Sequence, residues 1–107
     1  MTVIPEPLDL TTQVIEGTAV VTVAGEIDAA TSDDLTRALV DVIGDDVRRL
    51  VLDVSSVEFI DSSGLRVLVQ ANRAIIERDG TFALRGPSET FRRLLDVTGL
   101  DEVFPVE

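Results

Sequence analysis

The stretch RLVLDVSSVEFIDSSGLRVLVQ, residues 49–70, joins a predicted strand to a predicted helix through a short polar segment. Arg49 to Val54 is rich in Val and Leu, which is typical of a short buried strand. Beyond Gly64, apolar residues such as Leu65 and Leu68 recur at helical spacing. The segment Asp61-Ser62-Ser63-Gly64 is therefore expected to lie at the start of a helix that follows a strand.

Similar patterns on either side of this unit predict the rest of the fold. Further strands are predicted at residues 8–15, 18–24 and 81–84, with a turn at Glu16-Gly17, a break at Gly25 to Asp28, and a short terminal strand that includes Phe104. Further helices are predicted to begin at Thr31 or Ser32 and at Gly86-Pro87. The order β-β-α-β-α-β-α-β predicts an α/β fold with a mixed sheet of about four to five strands and helices packed mainly on one face.

Helical periodicity also predicts which residues of the central helix face the core. Leu65, Leu68, Val69, Ile75 and Ile76 are expected to be buried, and the intervening polar residues to be exposed.

The predicted topology brings distant polar residues together. Right-handed β-α-β crossovers place successive strand-to-helix loops at the same edge of a sheet. The loops around Asp28, Ser62 and Gly86 are therefore expected to converge, and Arg85 is expected to lie beside them.

Length and composition predict one globular domain, residues 1–107. Of its residues, 45% are hydrophobic and 27% are charged, which favours a packed core over disorder. Residues 1–7, MTVIPEP, contain two prolines and are predicted to be a loose lead-in.

The net charge of −11 limits the choice of partners. A field of this sign repels phosphate backbones and anionic lipid surfaces, so neither nucleic acid nor a membrane is an expected partner. A protein with a basic or mixed face is favoured in encounter. The alternative is that the acidity only maintains solubility.

Missing residue types exclude several kinds of chemistry. The chain contains no His, no Cys and no Lys, so it cannot supply a Ser–His or Cys–His nucleophile, a Schiff-base lysine or the usual zinc ligands. We expect neither an enzyme nor a bound cofactor, and a cytoplasmic protein without disulfides. Two alternatives use carboxylates: a metal site of Asp28, Asp53 and Asp61, and a receiver-like domain phosphorylated on Asp53, although receivers also need a lysine.

The segment Asp61-Ser62-Ser63-Gly64 has a structural and a functional explanation. Asp or Ser before a helix can accept a hydrogen bond from an unpaired N–H, and Asp61 is the predicted N-cap. Ser62 would then occupy the first helical position with its hydroxyl near solvent, where it could accept a phosphoryl group. Gly64 is unusual in a first turn and suggests that another group approaches closely there.

Four segments together resemble a known family: GEIDAAT (25–31), RLVLDVSSV (49–57), VEFIDSSGL (57–65) and GPSETFRRLLDVTGL (86–100). They resemble the STAS family, specifically the anti-sigma factor antagonists of bacteria, and the likeness extends from about Thr18 to Val103. Members usually continue into a further C-terminal helix, which is expected to be short or absent here.

The resemblance implies a partner-switching regulator. The unmodified protein would bind an anti-sigma factor, a serine kinase that holds ATP, and so release a sigma factor. Phosphorylation of Ser62 would end the interaction, and a serine phosphatase would restore it. The expected partner-binding residues are Asp28, Thr31, Asp61, Ser62, Ser63, Gly64 and Arg66. The alternative is a STAS scaffold that is not phosphorylated, or a subunit of a stress-signalling or lipid-transport complex.

Arg85 carries one further hypothesis. If the strand-to-helix loops converge, its guanidinium could pair with phosphorylated Ser62. The competing interpretation is an arginine that is simply solvated.

Overall fold

The computed structural model describes residues 8–44 and 46–107. Its strands are β1 (Asp9–Ile15), β2 (Thr18–Ile27), β3 (Arg49–Ile60) and β4 (Thr81–Arg85). Its helices are α1 (Ser32–Ile43), α2 (Ser62–Ile76) and α3 (Glu89–Thr98), with a 3-10 turn at Leu100–Glu102. The predicted lead-in, residues 1–7, lies outside the described residues.

The four strands form one mixed sheet in the order β1-β2-β3-β4. β1 and β2 are antiparallel, and β2, β3 and β4 run parallel to one another. The predicted turn between the first two strands is confirmed: Glu16 and Gly17 both have positive φ, 49° and 82°, as a two-residue hairpin turn requires.

Alternation along β2 shows which side of the sheet the helices cover. Ala19, Val21 and Val23 are fully buried, whereas Val20 and Thr22 between them are partly exposed. α1 packs against β2, and α2 packs against β3 and β4. The helices therefore cover mainly one face, as predicted, and the core lies between them and the sheet.

β3 is twice as long as the predicted strand at residues 49–54. Its pairing with β2 shifts register at two points, between the pairs Thr22–Asp53 and Ala24–Ser56 and again before Phe59. Each shift places an extra residue in β3, as in a β-bulge, and the strand continues. The predicted break at Gly25 is also wrong, because the glycine takes a φ of 114° within β2, which continues to Ile27.

The buried face of α2 agrees with the prediction except at its end. Leu65, Leu68 and Ile75 are buried and Val69 is half-buried. Ile76 is 55% exposed, because it is the last residue of α2 and lies about 100° around the helix from Ile75, which faces the core.

The C-terminal segment differs in part from its prediction. α3 begins at Glu89, after Ser88 accepts a hydrogen bond from the Phe91 N–H. Phe104 is fully buried against Phe82, with ring centroids 5.5 Å apart, but it follows the 3-10 turn and belongs to no strand. In place of the predicted terminal strand, the described chain has a single parallel bridge between Leu84 and Val106.

Candidate functional site

Ser62 is the first residue of α2 and is exposed to solvent. Asp61 precedes it in an extended conformation, and its Oδ1 accepts hydrogen bonds from the N–H groups of Ser63 (2.9 Å) and Gly64 (3.2 Å). The carboxylate therefore supplies the N-cap, as predicted. Within the described residues the Ser62 hydroxyl makes no hydrogen bond, so capping does not occupy it.

Gly64 is buried because α2 lies very close to the sheet at this point. A Cβ added to it would lie 2.6 Å from Ile27 Cγ2 and 2.7 Å from Ile60 Cγ1. The close approach inferred from the sequence is therefore real, but the approaching groups belong to the core. Gly64 therefore has a packing role and clears no space beside Ser62, while its predicted contact with a partner stays a prediction.

Ser63 and Arg66 lie on α2 beside the candidate acceptor. Ser63 is half-buried, and Arg66 is exposed. Arg66 follows Ser62 by four residues, and side chains at this spacing are neighbours on a helix surface. Within the described chain no carboxylate pairs with Arg66.

The loop after β2 is held by a network of hydrogen bonds around Asp28. Its Oδ1 accepts from the N–H groups of Ala30 (2.9 Å) and Thr31 (3.1 Å). The Thr31 hydroxyl donates to the Glu26 carbonyl (2.7 Å) and accepts from the Asp28 N–H (3.0 Å). Asp28 is half-buried and keeps one carboxylate oxygen outside these bonds.

This network corrects one expectation for Thr31. It occupies the N-cap position of α1, but neither it nor Ser32 caps the helix through its side chain, because the Thr31 hydroxyl is directed to the loop backbone. Thr31 is only 5% exposed. Its part in partner binding stays a prediction, and its burial favours an effect through the shape of the loop.

The loops after β2 and β3 are adjacent and joined. Ile27 and Ile60 are paired across the two strands, and the Asp61 N–H donates to the Ile27 carbonyl at 3.1 Å. The predicted convergence of the Asp28 and Ser62 loops is therefore confirmed.

Arg85, at the start of the loop after β4, does not reach this place. Arg85 aligns with Asp53, which pairs with Thr22, whereas the site begins at Ile27. The five steps from Thr22 to Ile27 span roughly 16 Å at ~3.3 Å per residue. Arg85 instead pairs with Glu107 at 2.9 Å, so the predicted pairing with a phosphate on Ser62 is wrong.

The same geometry separates the carboxylates of the proposed metal site. Asp53 lies within β3, away from Asp28 and Asp61, and its Oδ1 accepts from the N–H and hydroxyl of Ser55. Residues 8–44 and 46–107 contain no group of three potential ligands that could hold a metal ion. A receiver-like phosphorylation site would place Asp53 at the end of a strand. Asp53 instead lies inside β3, which continues to Ile60.

One surface feature was missed from the sequence. A groove of about 370 Å³ lies between the end of β3 and α3, with Phe59 on its rim. Phe59 is 50% exposed, although a phenylalanine in a strand is ordinarily assigned to the core. The sequence contained one signal for this exposure. Phe59 and Ile60 are adjacent apolar residues after Val57, so strict alternation could not bury all three on one face.

No helix in the described part of the chain is both long and apolar enough to span a bilayer.

Comparison with known proteins adds to this geometry. The sequence profile of the STAS domain matches residues 9–107. An anti-sigma-F factor antagonist of Mycobacterium tuberculosis is 33% identical over 100 residues, which cover 94% of this chain and 81% of the relative. An anti-sigma-B factor antagonist of Listeria monocytogenes is 34% identical over 85 residues, covering 79% of this chain and 75% of the relative.

A solved structure agrees with these sequence relatives. The crystal structure of an anti-sigma factor antagonist from Mycobacterium paratuberculosis superposes with a TM-score of 0.85 at 33% identity. The match covers 92% of this chain and 84% of that protein.

Proposed function

This chain belongs to the STAS domain family, and on that premise we propose that it is an anti-sigma factor antagonist. It acts by binding an anti-sigma factor and thereby releasing a sigma factor, so it is a regulatory binding protein rather than an enzyme. The relatives with at least 30% identity bear this function in their names and extend over most of the chain. Because the partner described below uses ATP, the proposed compartment is the cytoplasm.

The proposed partner surface consists of the Asp28 loop and the first turn of α2. Asp61, Ser62, Ser63 and Arg66 present polar groups there, while Thr31 and Gly64 maintain its shape from below. The joined loops offer one continuous acidic and hydroxyl-bearing patch to a partner with a basic or mixed face.

We further propose that phosphorylation of Ser62 switches binding off. The observation that carries this proposal is the exposed hydroxyl at the first position of α2, which Asp61 leaves free by capping the helix itself. An anti-sigma factor with serine kinase activity would transfer the γ-phosphoryl group of ATP to the Ser62 oxygen, with loss of the hydroxyl proton and release of ADP. A serine phosphatase would hydrolyse the ester.

The fold should tolerate this modification. A phosphoserine adds about −1.5 to −2 charges at pH 7, and a helix N-terminus favours anions. The added charge is exposed and displaces no core group. Its effect therefore falls on the complex, through steric hindrance, desolvation and repulsion of acidic groups on the partner.

The test is capture of partners by the immobilised chain from extract of its own organism. Wild type and Ser62→Ala should both retain a protein identified as an anti-sigma factor kinase. With that kinase and ATP, only wild type should gain the mass of one phosphoryl group and then release the partner. Ser63→Ala is the matched control and should be phosphorylated like wild type.

Two results would contradict the proposal. If Ser62→Ala is phosphorylated to the same extent as wild type, Ser62 is not the phosphate acceptor. A captured anti-sigma factor that never modifies the wild-type chain would instead favour the unphosphorylated STAS scaffold.

A further inference from the structure

The end of β3 has an unpaired edge. β4 pairs only with Arg49 to Asp53 of β3, whereas β3 continues to Ile60 and pairs there with β2 alone. The chain leaves the sheet at Gly86, which has a φ of 67°. Gly86 lies so close to β3 that a Cβ added to it would be 2.9 Å from Ser55 Cβ. In the part of the chain that the structure describes, the edge beyond Ser55 therefore has no neighbouring strand.

The backbone of this edge is available for hydrogen bonding. In a parallel ladder, successive residues direct their N–H and C=O groups alternately to the two sides. Within residues 8–44 and 46–107, no backbone hydrogen bond joins Ser56 to Phe59 with α3 or the loop before it. An exposed row of this kind is a template for an added strand.

An apolar groove runs beside the unpaired edge. β3 forms one wall through Val57 and Phe59, and α3 forms the other through Phe91, Leu94 and Val97. Its volume of about 370 Å³ falls in the range of natural binding pockets. Phe59 is 50% exposed and Val97 is 78% exposed, so apolar side chains reach the rim. Glu58, Ser88, Thr90 and Arg93 complete the lining, and the rim therefore also carries one charge of each sign.

The groove is continuous with the proposed partner surface. Phe59 pairs with Glu26, which precedes the Asp28 loop, and Ile60 leads directly to Asp61 and Ser62. A protein seated over Ser62 needs to extend by only two residues along β3 to reach the groove.

Charge distinguishes among the occupants of this groove. A second copy of the chain would bring another net charge of −11, and like charge of this size opposes association. A neutral or basic partner does not meet this repulsion.

We propose that the anti-sigma factor adds an extended segment to the free edge of β3 and inserts an apolar side chain into the groove between β3 and α3. The added segment alternates apolar residues, which enter the groove, with neutral or basic residues, which suit the net charge of −11 of this chain. This inference rests on the proposed function and enlarges its binding surface beyond the serine loop. Phe59 is the anchor on this chain.

The test uses the anti-sigma factor identified in the capture experiment, purified and titrated by calorimetry. Phe59→Ser and Val97→Ser should each weaken binding, by roughly tenfold or more for Phe59. Ile76→Ser, at a residue 55% exposed at the far end of α2, is the matched control and should bind within about twofold of wild type. Amide hydrogen exchange should show new protection within Ser56 to Phe59 in the complex.

The outcomes separate this inference from the proposed function. A wild-type chain that binds no anti-sigma factor contradicts the function itself. Normal binding by both Phe59→Ser and Val97→Ser, or unprotected amides in the complex, overturns the inference and leaves the function intact. Protection of those amides in the free protein also overturns the inference in two cases. Protection that is lost on dilution indicates that a second copy occupies the edge, and protection that is lost on deletion of residues 1–7 indicates that the chain's own N-terminal segment does.

Discussion

Replacement of Gly64 by alanine tests how closely α2 approaches the sheet. The new methyl group would lie 2.6 Å from Ile27 Cγ2 and 2.7 Å from Ile60 Cγ1, closer than carbon atoms pack in proteins. Ile27 is fully buried and Ile60 is 7% exposed. Neither side chain can move aside into solvent, so α2 must shift away from β2 and β3.

The expected magnitude is a balance of two effects. Overpacking of a closed core costs about 1–3 kcal/mol. Alanine in place of glycine in a helix returns about 0.5–1 kcal/mol. We therefore expect Gly64→Ala to lower the free energy of unfolding by up to about 2.5 kcal/mol, with a central value of about 1.2 kcal/mol. For a domain of this size, the central value corresponds to a fall in melting temperature of roughly 5–10 °C.

The assay is thermal and urea unfolding followed by circular dichroism. Gly44→Ala is the matched control, because Gly44 is in the right-handed helical region and its added Cβ would meet nothing closer than 3.4 Å. Gly44→Ala should be neutral or more stable by up to about 1 kcal/mol. If Gly64→Ala is as stable as Gly44→Ala, the close packing of α2 on the sheet is refuted.

Three further substitutions test other parts of the fold and site. Ser88→Ala should lower the free energy of unfolding by about 1 kcal/mol in urea titration, because it removes the N-cap of α3; an unchanged midpoint would contradict this. Phe104→Ala should cost about 3–5 kcal/mol in the same measurement, since its ring is fully buried; a loss below about 1 kcal/mol would place the ring outside the core. In the chain phosphorylated at Ser62, Arg66→Ala should raise the second pKa of the phosphate by roughly 0.3, because a neighbouring cation stabilises the dianion. This pKa is measured by phosphorus NMR titration. Arg85→Ala is the control and should leave the pKa of the phosphate unchanged. Equal effects of Arg66→Ala and Arg85→Ala would contradict the assigned geometry.

Local patterns predicted most of the features that depend on neighbours in sequence. The Glu16-Gly17 turn follows from residues that accept positive φ. Asp61 caps α2 because its short carboxylate, in an extended residue directly before the helix, reaches the unpaired N–H groups of the first turn. The meeting of the Asp28 and Ser62 loops follows from the handedness of parallel crossovers.

The features that could not be predicted depend on contacts between distant segments. The bulges that extend β3 arise from its pairing with β2 and have no local signal in SSVEFI. Because β3 is longer than predicted, Arg85 lies far from Ser62 even though the order of the elements from β1 to α3 was predicted correctly. Gly64 has the same sequence appearance whether a core side chain or a partner approaches it, and only the positions of Ile27 and Ile60 decide which.

The bond from the Asp61 N–H to the Ile27 carbonyl has a kinetic consequence. It fixes the acceptor serine and the Asp28 loop to one another before any partner arrives, so productive collision requires no rearrangement of this protein. Association should then be limited by diffusion and charge steering. A single phosphate on Ser62 can therefore change both the rate at which the complex forms and the lifetime of the complex.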